Sequence, residues 1–486
     1  MQTWIIISAI AVAAVAAVPY ALPSSKTIER VATIKAPVDR VFSLIASSEG
    51  IRHARRWKPL CRIDFTVDRR SGEVRAKADH VARASYGRLI AILVSNGADI
   101  ASAEDSLADA FARALETWPR DGIPTNPEGW LVTVAKNRRK DAAKSAAART
   151  ASGSLDDKDF ILAQKAAQTD MQEPDHFPDR RLNLIFACAH PAIDAQVHTP
   201  LMLQTVLGFQ ASEIASAYLM PGPVLTQRLV RAKRKIKQAG IAFSLPEPDD
   251  LKPRLAAVLE AIYGAYSLDW QDNENSDPTQ DISAEALYLS TLVCELLPDE
   301  PEALGLAALI AFSFARRDAR IDQQGVYVPL EAHDVSRWNR LLIRRGQTML
   351  AKAATFKAPA RFQLEAAIQS AHCDRLQLGK VDWQVIAQLY AGLMAIAPTT
   401  GAAVGYAAAL GRSASPQAGL AALAAIEGDQ IKGFQPYWAT RAYLLRQAGD
   451  FPHARPAYEK ALSLTTHIPS RKWLENELAQ ILHGKI

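Results

Sequence analysis

Six bases and no acid fall within residues 224–240: Arg228, Arg231, Lys233, Arg234, Lys235 and Lys237. Like charges packed this densely repel one another unless something anionic lies opposite, so the chemistry on offer is neutralisation of a polyanion. Leu225, Leu229, Ala232 and Ile236 follow at spacings of four, three and four, which places them on one face of the same helix and the bases on the others. A membrane-surface helix fits poorly, because those apolar residues are needed to bury the helix against its neighbours. A merely solvated helix is the competing reading. The segment ahead, FQASEIASAYL (209–219), reads as a short helix, and Met220-Pro221-Gly222 reads as a tight turn. A short helix, a turn and a basic helix together favour nucleic acid. A second basic group, Lys136, Arg138, Arg139, Lys140, Lys144 and Arg149, ends a helical stretch that begins at Trp130.

Other reactive residue types are poorly arranged for chemistry. His190 and His198 lack a third metal ligand and suit capping or packing. His372 and Cys373 are adjacent in an apolar helical pattern without an orienting acid. No phosphate loop, metalloprotease motif or carboxylate pair supports catalysis, so neither an enzyme nor a cofactor is expected. Cys61, Cys188, Cys294 and Cys373 lie far apart and read as incidental thiols in a reducing compartment.

The elements that must position the bases are mostly helices. The chain has 486 residues, of which 49% are apolar and 22% charged, the balance of an ordinary folded protein with more than one domain. Its formal charge of +5 is too small to act as a whole, so local clustering carries the electrostatics. The fold class expected is mainly all-α. An uncharged stretch of 19 residues (4–22) is a candidate membrane anchor within an apolar helix over 1–25. The first bases, Lys26, Arg30 and Lys35, follow it, which would leave the bulk of the chain on the cytoplasmic side, tethered to the inner face of the membrane. Residues 26–78 read as a short α+β piece, with a hairpin turning at Ser71-Gly72.

Helical register begins at Asp79. Residues 79–150 form one helical unit, in which Ser102 and Asp105 suggest a cap and Pro119 a stop. In the helix between them Leu107, Ala110, Phe111, Ala114, Leu115 and Trp118 supply the apolar stripe. Residues 151–178 read as a linker, 179–242 as a second unit containing the basic helix, and 243–486 as a long helical extension. Within it, residues 437–464 follow the order of a tetratricopeptide helix pair, and a weaker pair runs through 388–410.

Several long segments then converge on one family: 104–141, 179–193, 209–241 and 325–343. From about residue 79 onward the chain resembles bacterial extracytoplasmic-function RNA polymerase sigma factors of the subgroup with a long tetratricopeptide-like extension. Residues 26–75 resemble the opening of a START-like polyketide cyclase and lipid-binding domain. The sigma resemblance implies core RNA polymerase and promoter DNA as partners. In residues 79–150 it implies that Asp105, Asp109 and Glu116 lie against polymerase. Trp130, Lys136, Asn137, Arg138, Arg139 and Lys144 would meet the opened −10 strand, although plain core packing is the favoured account of Trp130. In residues 179–242 it implies a helix-turn-helix reading the −35 element. Pro223, Val224, Thr226, Gln227, Arg228 and Arg231 would reach base edges, while Lys233, Arg234, Lys235 and Lys237 would hold phosphates. The extension would bind a regulatory protein or hold the two units inactive. A stand-alone helix-turn-helix regulator and a membrane-tethered repeat scaffold are the alternatives.

Overall fold

Apolar side chains recur at helical spacing through nearly the whole chain, and the computed structural model places almost all of them in helices. It describes residues 69–147, 179–218, 220–272 and 282–482. The candidate anchor at 4–22, nearly all of the START-like piece, the linker at 151–178 and Leu219 lie outside the described residues. Among the described residues no helix is long and apolar enough to cross a membrane. There is no β-sheet among them either; extended structure is limited to one antiparallel bridge between Ile321 and Tyr327.

Three helices come first: α1 (Arg69–Ser95), α2 (Ile100–Asp121) and α3 (Pro127–Ala147). The start of α1 corrects the expected hairpin at Ser71-Gly72. Val74, Ala78 and Val81 stand four and three residues apart and are all buried, and tertiary burial of that stripe outweighs the local turn preference. The cap of α2 also moves: Asp99, not Ser102, is the N-cap, its Oδ1 accepting from the Ser102 N–H at 3.1 Å. Pro119 does not stop that helix. It sits in the last turn, and the chain leaves at Gly122, whose φ of 89° only glycine adopts freely.

Next come α4 (Arg180–Cys188), α5 (Ala195–Thr205), α6 (Ala211–Ala217) and α7 (Gly222–Gln238). The extension supplies α8 (Pro248–Asp272), α9 (Ile282–Leu296), α10 (Pro301–Phe314), α11 (Arg340–Thr355) and α12 (Arg361–Cys373). After the single turn α13 (Arg375–Leu378) follow α14 (Trp383–Ile396), α15 (Thr400–Ser413), α16 (Pro416–Ala424), α17 (Gln435–Gln447), α18 (Phe451–Ser463) and α19 (Ile468–Leu482). From α14 to α18, each helix packs on the one that follows it.

Burial divides these helices in an unexpected way. One continuous core runs from Val74 in α1 to Cys373 in α12, and three smaller clusters serve the helices beyond. The two helical units before residue 243 therefore share a core with the extension. The first two units approach closely at Gly87 in α1, where an added Cβ would strike the Val206 carbonyl oxygen. Asp179, Arg181 and Glu285 tie the start of α4 to α9, with Arg181 paired to both acids. The three described cysteines are free thiols, and burial pushes Cys188 and Cys294 up to about 12.

Candidate nucleic-acid interface

α6 and α7 are set by simple rules. Gln210 and Glu213 form a reciprocal capping box at the start of α6, with the Gln210 N–H donating to Glu213 Oε2 at 2.7 Å. Pro221 precedes α7, where a missing N–H costs nothing. Ile214 and Ala215 of α6 and Leu225, Leu229, Ala232 and Ile236 of α7 are buried, so the apolar stripe read from the sequence is the packed one. Helix α7 thereby presents a fixed outer face.

Pro223, Val224, Thr226 and Gln227 are exposed on the first two turns of α7, and Arg231 on the third. The Thr226 hydroxyl donates to the Gly222 carbonyl at 3.0 Å. Arg228 is half-buried, with Nη1 donating to Gln196 Oε1 at 3.3 Å. Arg234 and Lys235 are exposed further along.

Lys233 and Lys237 each face an acid. Lys233 Nζ sits 2.7 Å from both carboxylate oxygens of Glu104 on α2, with side chains only 12% and 20% exposed. Lys237 Nζ lies 3.0 Å from Asp99 Oδ2 at the start of α2. In this arrangement both lysines are paired with acids of α2 or its N-cap. Burial works against ionisation of Asp99, but the Ser102 N–H and the Lys237 ammonium outweigh it and hold the carboxyl below its usual range. Glu104 and Asp99 were absent from the residues singled out in the sequence. Each looks like an ordinary first-turn or capping acid, and only the fold brings them to α7.

On α2, Asp105, Asp109 and Glu116 are exposed and lie within about 40° of one another around the helix axis. Leu115, expected in the apolar stripe, is instead 44% exposed. Asp109 is 3.9 Å from Arg138 of α3, and Glu116 is 3.3 Å from Arg113. Arg138 and Lys140 are exposed, while Lys136, Asn137 and Arg139 are half-buried. Arg139 Nη2 donates to the Gly97 carbonyl at 2.9 Å, tying α3 to the α1–α2 turn. Lys144 lies in the last turns of α3. Trp130 is 2% exposed, with its ring edge-on to Trp118 at 5.5 Å. Here it is a core residue and does not face a base, which decides between its two readings for this arrangement.

The histidines have local partners. His190 Nδ1 accepts from the Ala192 N–H at 3.1 Å, and His198 Nε2 lies 3.1 Å from the Ile193 carbonyl. Among the described residues no group of three His, Cys, Asp or Glu side chains is placed to hold a metal ion.

Residues 81–149, spanning most of α1 to α3, match the sigma-70 region 2 family. Residues 254–354, from α8 to α11, match a family of unknown function, DUF6596. An uncharacterized protein of Rhizobium meliloti (strain 1021) is 33% identical over 383 residues, covering 77% of this chain and 89% of the relative. No solved structure matches. The region 2 match falls on the three helices whose acidic face, basic end and tryptophan pair are described above. The chain thus belongs to the family of the Rhizobium meliloti protein, and is a sigma-factor-like, non-catalytic transcription protein.

Proposed function

We propose that the chain is a promoter-specificity subunit that binds core RNA polymerase and directs it to −10 and −35 promoter elements. The observation that carries this reading is the pairing of a region 2 domain with a second DNA-reading element. That element is α6–α7, a helix-turn-helix whose second helix carries six bases and no acid, with Arg231, Arg234 and Lys235 exposed and unpaired by α2. In this reading Asp105, Asp109 and Glu116 form the polymerase-facing surface of α2. Lys136, Asn137, Arg138, Arg139 and Lys144 meet the opened −10 strand, and the N-terminal turns of α7 enter the −35 major groove. Gln227 suits adenine, and Arg228 or Arg231 suits guanine. Arg234 and Lys235 hold phosphates directly; Lys233 and Lys237 do so once released from Glu104 and Asp99. The helices from α8 onward, with tetratricopeptide-like pairs among them, hold the two DNA-binding units against one another as a regulatory body.

The test is run-off transcription from fragmented genomic DNA with core polymerase and the full chain. Discrete transcripts sharing upstream elements at −10 and −35 are expected. Duplex binding without any polymerase-dependent transcript would favour a stand-alone regulator and defeat the proposal.

A further inference from the structure

In the extension lies a half-open cavity of about 550 Å3, a size suited to a small molecule. Its wall is drawn from α8, α10 and the segment after it, α12, α14 and the start of α15. The chemistry of that wall is unusual in one respect. Arg316 is 3% exposed, and its Nη2 donates to Gln369, but its Nε and Nη1 have no hydrogen-bond partner. No carboxylate pairs with it among the described residues. The one acid on the wall, Glu365, is instead taken by Arg361 at 2.8 Å, which is also held by Glu260 at 2.5 Å. A guanidinium buried without a counter-ion is costly to keep, and a fixed fork of this kind matches an oxyanion.

Three further features converge on the same space. The guanidinium lies over the Trp338 ring at 5.8 Å, and Arg375 approaches that ring at 5.9 Å. Arg375 donates to the Leu330 and His333 carbonyls at 2.8 and 2.7 Å, which fixes the wall. His333 is 4% exposed; its Nε2 lies 3.1 Å from the Val328 carbonyl, and its Nδ1 is buried without a partner. Gly401 and Ala402, in the first turn of α15, also line the cavity, adding the positive end of a 14-residue helix. Arg320 contributes a further guanidinium, and Tyr263 and Tyr390 contribute aromatic surface.

We propose that this cavity is a binding site for a small-molecule oxyanion, a carboxylate or phosphoryl group on a compact body, seated on Arg316 with the start of α15 opposite. The site lies in the extension and does not depend on the promoter reading, so its test can fail or succeed independently. Calorimetric titration of the full chain with phenyl phosphate, phenylacetate and inorganic phosphate, with benzyl alcohol as the neutral control, reads it directly. Saturable binding of at least one anion and none of the alcohol is expected, with affinity falling at least tenfold in Arg316→Gln and in Arg320→Gln. The unliganded Arg316→Gln protein is expected to melt no lower than the parent, since an uncompensated buried charge has been removed. A purely structural arginine would instead lower the melting temperature. Binding by none of the three anions, or equal affinity in Arg320→Gln, overturns the proposal, and the second variant keeps that test available should Arg316→Gln fail to fold.

Discussion

Two side chains show what a residue's type alone leaves open. A tryptophan in the first turn of a basic-ended helix can stack on a base or fill a core, and the spacing is the same for both. Trp118, on another helix, decides the matter by meeting Trp130 edge-on. Trp130→Ala is therefore expected to cost about 3–5 kcal/mol in denaturant unfolding, and Trp130→Phe much less. An unchanged unfolding midpoint in the alanine variant would return Trp130 to the DNA-facing group. His333 makes a different prediction. Burial, and then the nearby Arg316 charge, push its pKa down to about 4 in the folded chain. The unfolded chain, with an ordinary pKa near 6.5, binds more protons between those values. This group's share of stability is thus fully present above about pH 6.5 and lost as pH falls towards 4. Between pH 7 and pH 5 the loss is about 2 kcal/mol, and thermal melts should show it. His333→Gln should flatten that slope; an unaltered slope would mean the imidazole is not held neutral. His372, pushed down to about 3 by burial and by Arg316 and Arg412, adds a slope of the same sign.

At the scale of elements, periodicity was readable wherever a helix buried one stripe, and unreliable wherever packing overrode a local signal. The stripe Leu225, Leu229, Ala232 and Ile236 is buried as its spacing requires. The start of α1 was hidden because Ser71-Gly72 favours a turn, while Val74, Ala78 and Val81 find partners only in the folded chain. Close helix contacts are equally silent in sequence. Gly87 has no local reason to be glycine, yet a Cβ there would strike the Val206 carbonyl. Gly87→Ala should destabilise by about 1–3 kcal/mol or more. Gly264→Ala, whose Cβ would meet only Leu203 at 3.9 Å, should be neutral or stabilising by up to about 1 kcal/mol. Similar unfolding midpoints for the pair would mean that α1 and α5 do not pack this closely in solution. On α7, the proposed roles divide by position. Arg231→Ala should relax preference at one base pair by about 1–3 kcal/mol, while Lys235→Ala should weaken all duplexes alike and lessen the salt dependence. Salt titrations on matched and scrambled duplexes separate the two, and identical behaviour would remove the division.

For the whole molecule, the decisive contacts join residues far apart in the chain, which is why no window of sequence disclosed them. Lys233 and Glu104 are 129 positions apart and sit within hydrogen-bond distance. With Lys237 and Asp99 they fasten the basic helix to the region 2 domain along the side that the proposed −35 contact would use for phosphates. On the proposed function, promoter DNA and these acids would compete for the same ammonium groups. A charge-assisted bond of this kind contributes about 1.5–3 kcal/mol, so its loss should raise duplex affinity by roughly 10- to 100-fold if release is what limits binding. Glu104→Gln tests this without adding a positive charge of its own. Its affinity for duplex DNA should rise, and the gain should shrink at high salt, where the exposed Lys237–Asp99 contact is screened in both proteins. Lys233→Gln should lose both the clasp and the phosphate contact and fall at or below the parent. In the double variant the Glu104 substitution should add nothing, because its partner is gone. If Glu104→Gln leaves affinity unchanged, the clasp is packing alone, and the closed arrangement does not regulate access to DNA.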